Sequence, residues 1–191
     1  MSQYRVFSYS CLLSLMLWLL PFLVRILFID ISYLKDDIEV QSTEDKLFNG
    51  AQQAIQYISQ GEDYNAFVVI FKNNLKGCAL NVLGGVSLGM TTIFNLFYNG
   101  FLLGDILSTC NDMKIINKIL PHSFELIGLW LSGGIGLYVS WGVLQFMRGK
   151  DKGFTKLSYG IIGIGILIVF LVILSAAYVE VYISTKISVL I

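Results

Sequence analysis

The chain is poor in the residues from which catalytic and metal sites are usually built. It holds one histidine, three cysteines and two prolines in 191 residues. With no second histidine, any metal site would have to be completed by Asp or Asn groups, which is not the usual zinc donor set. Cys11, Cys78 and Cys110 lie far apart. They form neither a metal-ligand spacing nor a disulfide framework, and read as small apolar filler. There is no HExxH helix, no phosphate loop and no dinucleotide fingerprint. Ser123 adjoins His122, but adjacent residues on a helix do not face each other, so no nucleophile–base pair follows. The expectation is a protein with no catalytic residues, no cofactor and no metal. Charge is scarce as well: Asp, Glu, Lys and Arg make up 14% of the chain, against about 25% in a soluble domain. Thirteen basic and thirteen acidic residues cancel. No basic patch stands out, which argues against nucleic acid as a partner.

What the chain has is apolar length. It is 55% hydrophobic, with a mean hydropathy of +0.71. The apolar runs are continuous rather than alternating, which points to helices and away from a transmembrane β-barrel. The reading is all-α: a polytopic transmembrane helix bundle of about five spans, in a single membrane domain over 1–191. The spans fall at about 7–29, 66–83, 86–107, 121–145 and 157–179, with a polar amphipathic segment at 30–65. The run Phe7–Ile29 is too long for a signal-peptide core and lacks an Ala-x-Ala site, so it reads as a retained span. Pro21 is expected to kink it, and Arg25 to snorkel to the interface.

The polar segment is acidic, with Asp30, Asp36, Asp37, Glu39, Glu44, Asp45, Glu62 and Asp63 set against Lys35 and Lys46. Within it Leu47, Phe48, Ala51, Ala54, Ile55 and Ile58 recur at helical spacing, behind a Ser42 or Thr43 cap. This is an amphipathic helix for the membrane surface, for a partner, or for its own bundle. Ala66–Leu107 allows three arrangements: two spans with Lys72-Asn73-Asn74-Leu75-Lys76 inside the first, an interfacial helix followed by one span, or a re-entrant hairpin. Arg148, Lys150, Lys152 and Lys156 mark a cytoplasmic loop. Five spans then place the N-terminus inside and the acidic segment outside; four spans reverse both.

Small residues repeat every four positions at Gly77-Asn81-Gly85-Gly89, Gly100-Gly104-Ser108 and Gly128-Ser132-Gly136-Ser140. Gly85, Gly89, Gly100, Gly104, Gly128, Ser132 and Gly136 are the expected packing positions, because small residues let membrane helices approach closely. Such stripes serve packing within one subunit, a homo-oligomer or a partner helix. Pro121 suits the first turn of a helix, and Glu125 suits its dipole. His122 and Glu125, three apart, share a face. With Asn73, Asn74 and Asn99 they form a candidate polar cluster. It reads first as a structural lock between helix ends. Contact with protons or a translocated substrate comes second, and a partial metal site third.

Phe71-Lys72-Asn73-Asn74, then a Gly-rich span, then Asn99-Gly100 with Gly104, then Pro121-His122 with Glu125 resemble the stage II sporulation protein M family. The resemblance covers about Ala66–Gln145; Ser123 stands where the family pattern has Gly. It implies an integral membrane protein of about five spans without catalytic activity, in the cell membrane of a bacterium or archaeon. It also implies partners: cell-wall-degrading enzymes held by a membrane anchor, or an ATP-binding cassette ATPase. The expected function is therefore a scaffold or anchor subunit of a membrane complex, in contact with lipid and other subunits. The alternative is the permease-like subunit of an exporter driven by a separate ATPase.

Overall fold

The structure is a computed structural model and describes residues 2–28, 53–54, 56–109, 123–149 and 154–184. Five long helices account for most of these residues, and no strand occurs among them. They are α1 (Gln3–Phe28), α2 (Asp63–Gly84), α3 (Met90–Thr109), α4 (Ser123–Met147) and α5 (Lys156–Tyr178). A π-helical segment, Val179–Ser184, continues α5. The all-α bundle expected from the apolar runs is what the chain forms.

Three of the helices, α1, α4 and α5, are long and apolar enough to cross a membrane. At 22 and 20 residues, α2 and α3 have spanning length, about 33 and 30 Å. Their composition is more polar, because α2 carries Lys72 and Lys76 and α3 carries Asn95, Asn99 and Asp105. Three helices thus have both the length and the composition of spans, and two more have the length alone. Helix α2 runs unbroken through the Lys72–Lys76 cluster, which removes the arrangement in which an interfacial helix ends there. Helix α1 likewise continues through Pro21.

The turn between α2 and α3 is short. Gly89, at φ +83°, occupies the left-handed region, and its N–H returns to the Gly84 carbonyl at 3.0 Å. Leu88 precedes it at φ +55°, a conformation that non-glycine residues seldom adopt. The result is a closed helical hairpin. A capping box starts α5: the Thr155 hydroxyl accepts from the Ser158 N–H at 3.2 Å, and the Ser158 hydroxyl accepts from the Thr155 N–H at 3.2 Å.

Helix α4 is the most enclosed of the three apolar helices and organises the rest. Along it Asn74 meets Glu125, Asn81 meets Leu129 and Ser132, and Gly85 meets Gly136, so α2 runs parallel to α4. Cys11 lies at Gly134 and Trp18 at Trp130, so α1 is antiparallel. Gly165 lies at Ile135 and Ile173 at Gly128, so α5 is antiparallel too. Helix α3 returns along α2, with Thr92 at Asn81 and Asn95 at Gly77. Successive helices therefore alternate in direction along the chain.

Two expectations need restating. Arg25 does not snorkel outward. Its side chain is 1% exposed, and its Nε and Nη2 donate to Asp105 Oδ1 at 2.8 and 2.5 Å. Gly104 explains why: without a side chain there, α3 comes close enough to α1 for the guanidinium to find a carboxylate instead of water. The expected amphipathic helix at 42–58 lies mostly outside the described residues. At its end, residues 53–54 and 56–59 are helical, and Ala54 is buried against Ala66, Ile70, Ala177 and Val181. That part packs on the protein's own bundle.

Candidate functional site

The site begins with glycines that let backbones touch. A methyl group on Gly85 would come within 2.5 Å of the Gly136 carbonyl oxygen, and one on Gly136 would strike the Asn81 carbonyl. One on Gly100 would strike the Trp18 carbonyl, and one on Gly104 would lie 3.0 Å from the Phe22 carbonyl and from Arg25 Cβ. Gly89 faces Ser140, and Gly128 faces Ile173 more loosely. The expected packing positions thus fall at helix contacts: α2 on α4 at Gly85 and Gly136, and α3 on α1 at Gly100 and Gly104. Gly77, first of its stripe, meets nothing within 4 Å. Further close contacts were missed in the sequence, among them Gly133 against Ser14 and Leu96, Gly134 against Cys11, and Gly142 against Phe154.

Close approach brings polar side chains together in a seam between α2, α3 and α4. Asn81 is fully buried. Its amide donates to the Leu129 carbonyl at 3.1 Å and to Ser132 Oγ at 3.0 Å, while its Oδ1 accepts from Asn95 Nδ2 at 2.7 Å. Asn95 also donates to the Gly77 carbonyl at 3.1 Å. Asn99 donates to the Asn95 backbone carbonyl at 2.7 Å and side-chain oxygen at 3.1 Å. Thr92 Oγ1 donates to the Asn81 carbonyl at 2.7 Å. On the far side of α4, Ser14 donates to the Trp130 carbonyl at 2.8 Å, beside the edge-to-face Trp18–Trp130 pair. A buried amide in a membrane bundle must find such partners, and here each asparagine supplies them to the next.

Among the described residues, the candidate polar residues Asn73, Asn74, Asn99 and Glu125 do not form one cluster. Asn74 donates to Glu125, tying α2 to the first turn of α4. Asn99 belongs instead to the Asn81–Asn95 seam. Asn73 is exposed. Pro121 and His122 lie outside the described residues.

Register then gathers charge at one level. Trp18 packs on Trp130 with ring centroids 5.2 Å apart. Arg25 is about 10 Å beyond Trp18 along α1, and Glu125 about 8 Å before Trp130 along α4. The helices are antiparallel, so both displacements run the same way. Arg25–Asp105 and Asn74–Glu125 therefore sit at nearly one depth, with Lys72 half a turn from Asn74. The Lys72–Lys76 cluster belongs to this belt, not to the middle of the bundle. From Glu125 to Arg148 along α4 is about 35 Å, enough for a hydrocarbon core of about 30 Å.

Apolar helices of spanning length, packed through glycines and stitched by internal amides, define a membrane protein of the helical-bundle class. The stage II sporulation protein M profile matches residues 10–185, well beyond the central stretch that carried the resemblance, and the chain belongs to that family. It is similar to the uncharacterized protein MJ0793 of Methanocaldococcus jannaschii, at 34% identity over 137 residues covering 64% of this chain and 72% of that protein. It is also similar to the uncharacterized protein MJ0706 of the same organism, at 29% identity over 107 residues. That match covers 54% of this chain and 48% of the relative, so the aligned stretch spans about half of that protein. No solved structure matches the chain.

Proposed function

We propose that this protein is a non-enzymatic scaffold or anchor subunit that crosses the cell membrane five times and holds partner proteins in a complex. The observation that carries the reading is where the interior polar groups go. Asn81, Asn95, Asn99, Thr92 and Ser132 bond to one another and to helix carbonyls, and Arg25 bonds Asp105. These groups fix helix against helix, which is what a rigid platform requires.

Alternating helix direction supports five crossings. It puts Arg5, Arg148 and Lys156 at one end and the start of α2 at the other, with the α2–α3 turn pointing toward the first end at the level of Gly136 and Ser140. The basic end is cytoplasmic by the positive-inside rule. The opposite end, where α2 starts, then faces outside, toward partners such as wall-degrading enzymes. Purification from native membranes with bound partners tests the proposal. Wall enzymes without an ATPase are the expected result. A stoichiometric ATP-binding cassette ATPase would contradict it and favour the exporter reading.

A further inference from the structure

Helix α2 carries a face that the bundle leaves open, and that face has a head and a tail. Lys72 and Lys76 are four residues apart, one helical turn, and both are exposed. Ala79, Leu80 and Leu83 continue the same stripe; they are exposed too, Leu83 at 67%. Two cations thus lie at the level of the polar belt, and an apolar strip runs from them toward the other side of the membrane. The nearby carboxylates of the belt are engaged elsewhere: Asp105 holds Arg25, and Glu125 holds Asn74. Among the described residues, neither lysine makes an ion pair.

We propose that this face binds an anionic phospholipid, with the phosphate at Lys72 and Lys76 and an acyl chain along Ala79, Leu80 and Leu83. The inference rests on the membrane placement of α2 given above. Charge complementarity selects an anion at the belt, and the apolar strip selects one with a hydrocarbon tail. A basic side chain near an anionic membrane surface attracts it by about a factor of five, so two give roughly 30-fold. Asn73 lies beside the pair as a further hydrogen-bond donor.

The experiment is lipid retention on the full chain purified in neutral detergent, using phosphatidylglycerol and phosphatidylcholine with identical acyl chains. The expected result is preferential retention of phosphatidylglycerol, about 30-fold lost in the Lys72→Gln/Lys76→Gln variant. The Lys72→Arg/Lys76→Arg variant, which keeps both charges, should retain the preference. Helix content by circular dichroism identifies any variant that fails to fold, and the arginine variant then decides by losing or keeping the preference. Equal retention of both lipids by the native chain would overturn the proposal, as would full preference in the glutamine variant. Glycerol phosphate competing as well as the lipid would also overturn it, since it would mark a soluble-anion site. Cysteine labelling at position 72 in native membranes reports the depth of α2 separately, so a failed membrane placement is distinguished from a failed lipid site.

Discussion

Replacing Asn81 by Leu removes the centre of the polar seam and keeps the branched shape of the side chain, so no cavity opens. Three hydrogen bonds go with it: to the Leu129 carbonyl, to Ser132 Oγ, and from Asn95 Nδ2. Interhelical hydrogen bonds in membrane proteins average about 0.6 kcal/mol each, with a maximum of about 1.7. Three at the average give a loss of about 2 kcal/mol. Neighbours soften the loss. Asn95 keeps the Gly77 carbonyl, and the Ser132 hydroxyl keeps the Leu129 carbonyl at 2.8 Å. Leu cannot supply the Asn95 contact, so a cycle with Asn95→Leu should show a coupling of about 0.6 kcal/mol. The assay is reversible unfolding in mixed micelles, following helix content and tryptophan emission. Asn81→Leu within about 0.5 kcal/mol of the native chain, with zero coupling to Asn95, would refute the claim that the seam holds the hairpin to α4.

Further outcomes follow from the same contacts. Gly100→Val drives a side chain into the Trp18 carbonyl, where backbone meets backbone, and should cost about 3 kcal/mol or prevent α1 docking, measured by unfolding and by α1–α3 cross-linking. Gly77→Ala meets nothing within 4 Å and should leave stability unchanged or raise it by about 0.5 kcal/mol in the same unfolding assay. Asp105→Ala takes a carboxylate away from the buried Arg25 guanidinium and should cost about 3 kcal/mol, with a good part recovered in the Arg25→Asp/Asp105→Arg exchange. Glu125→Gln keeps an acceptor for Asn74 and should cost less than Glu125→Leu in micelle unfolding, the reverse order contradicting the Asn74 contact.

Much of this was legible in the chain. Uncharged runs such as Leu126–Leu144 gave helices of spanning length, and the four-residue glycine spacing marked the faces along which α2 meets α4 and α3 meets α1. The polar partners were harder to read, because a pairing depends on register between helices, which composition does not carry. Asn95 stands four residues before Asn99, so the two share a face, and that spacing was the available signal for the seam. Asn81 looked like a small member of a packing stripe because its spacing is the same as a glycine's. Arg25 ends one apolar run and Asp105 ends another. In a five-span topology those two ends lie on the same side, which could have identified the ion pair. Treating Arg25 alone made snorkelling the default, since an isolated cation near a helix end has only water to turn to. Joining Asn74 and Asn99 in one cluster followed from counting asparagines in a stretch whose hairpin separates them onto different contacts.

The account rests on the α2–α3 hairpin entering the membrane from the side on which α2 starts, with its turn pointing toward the basic end. Single cysteines at Ser59, Ser87 and Arg148, labelled in intact cells with a membrane-impermeant reagent, test this directly. The prediction is that position 59 reacts from outside, while positions 87 and 148 react only after the membrane is opened. Positions 59 and 87 labelled together from one side would place the turn on the acidic side and contradict the five-crossing bundle.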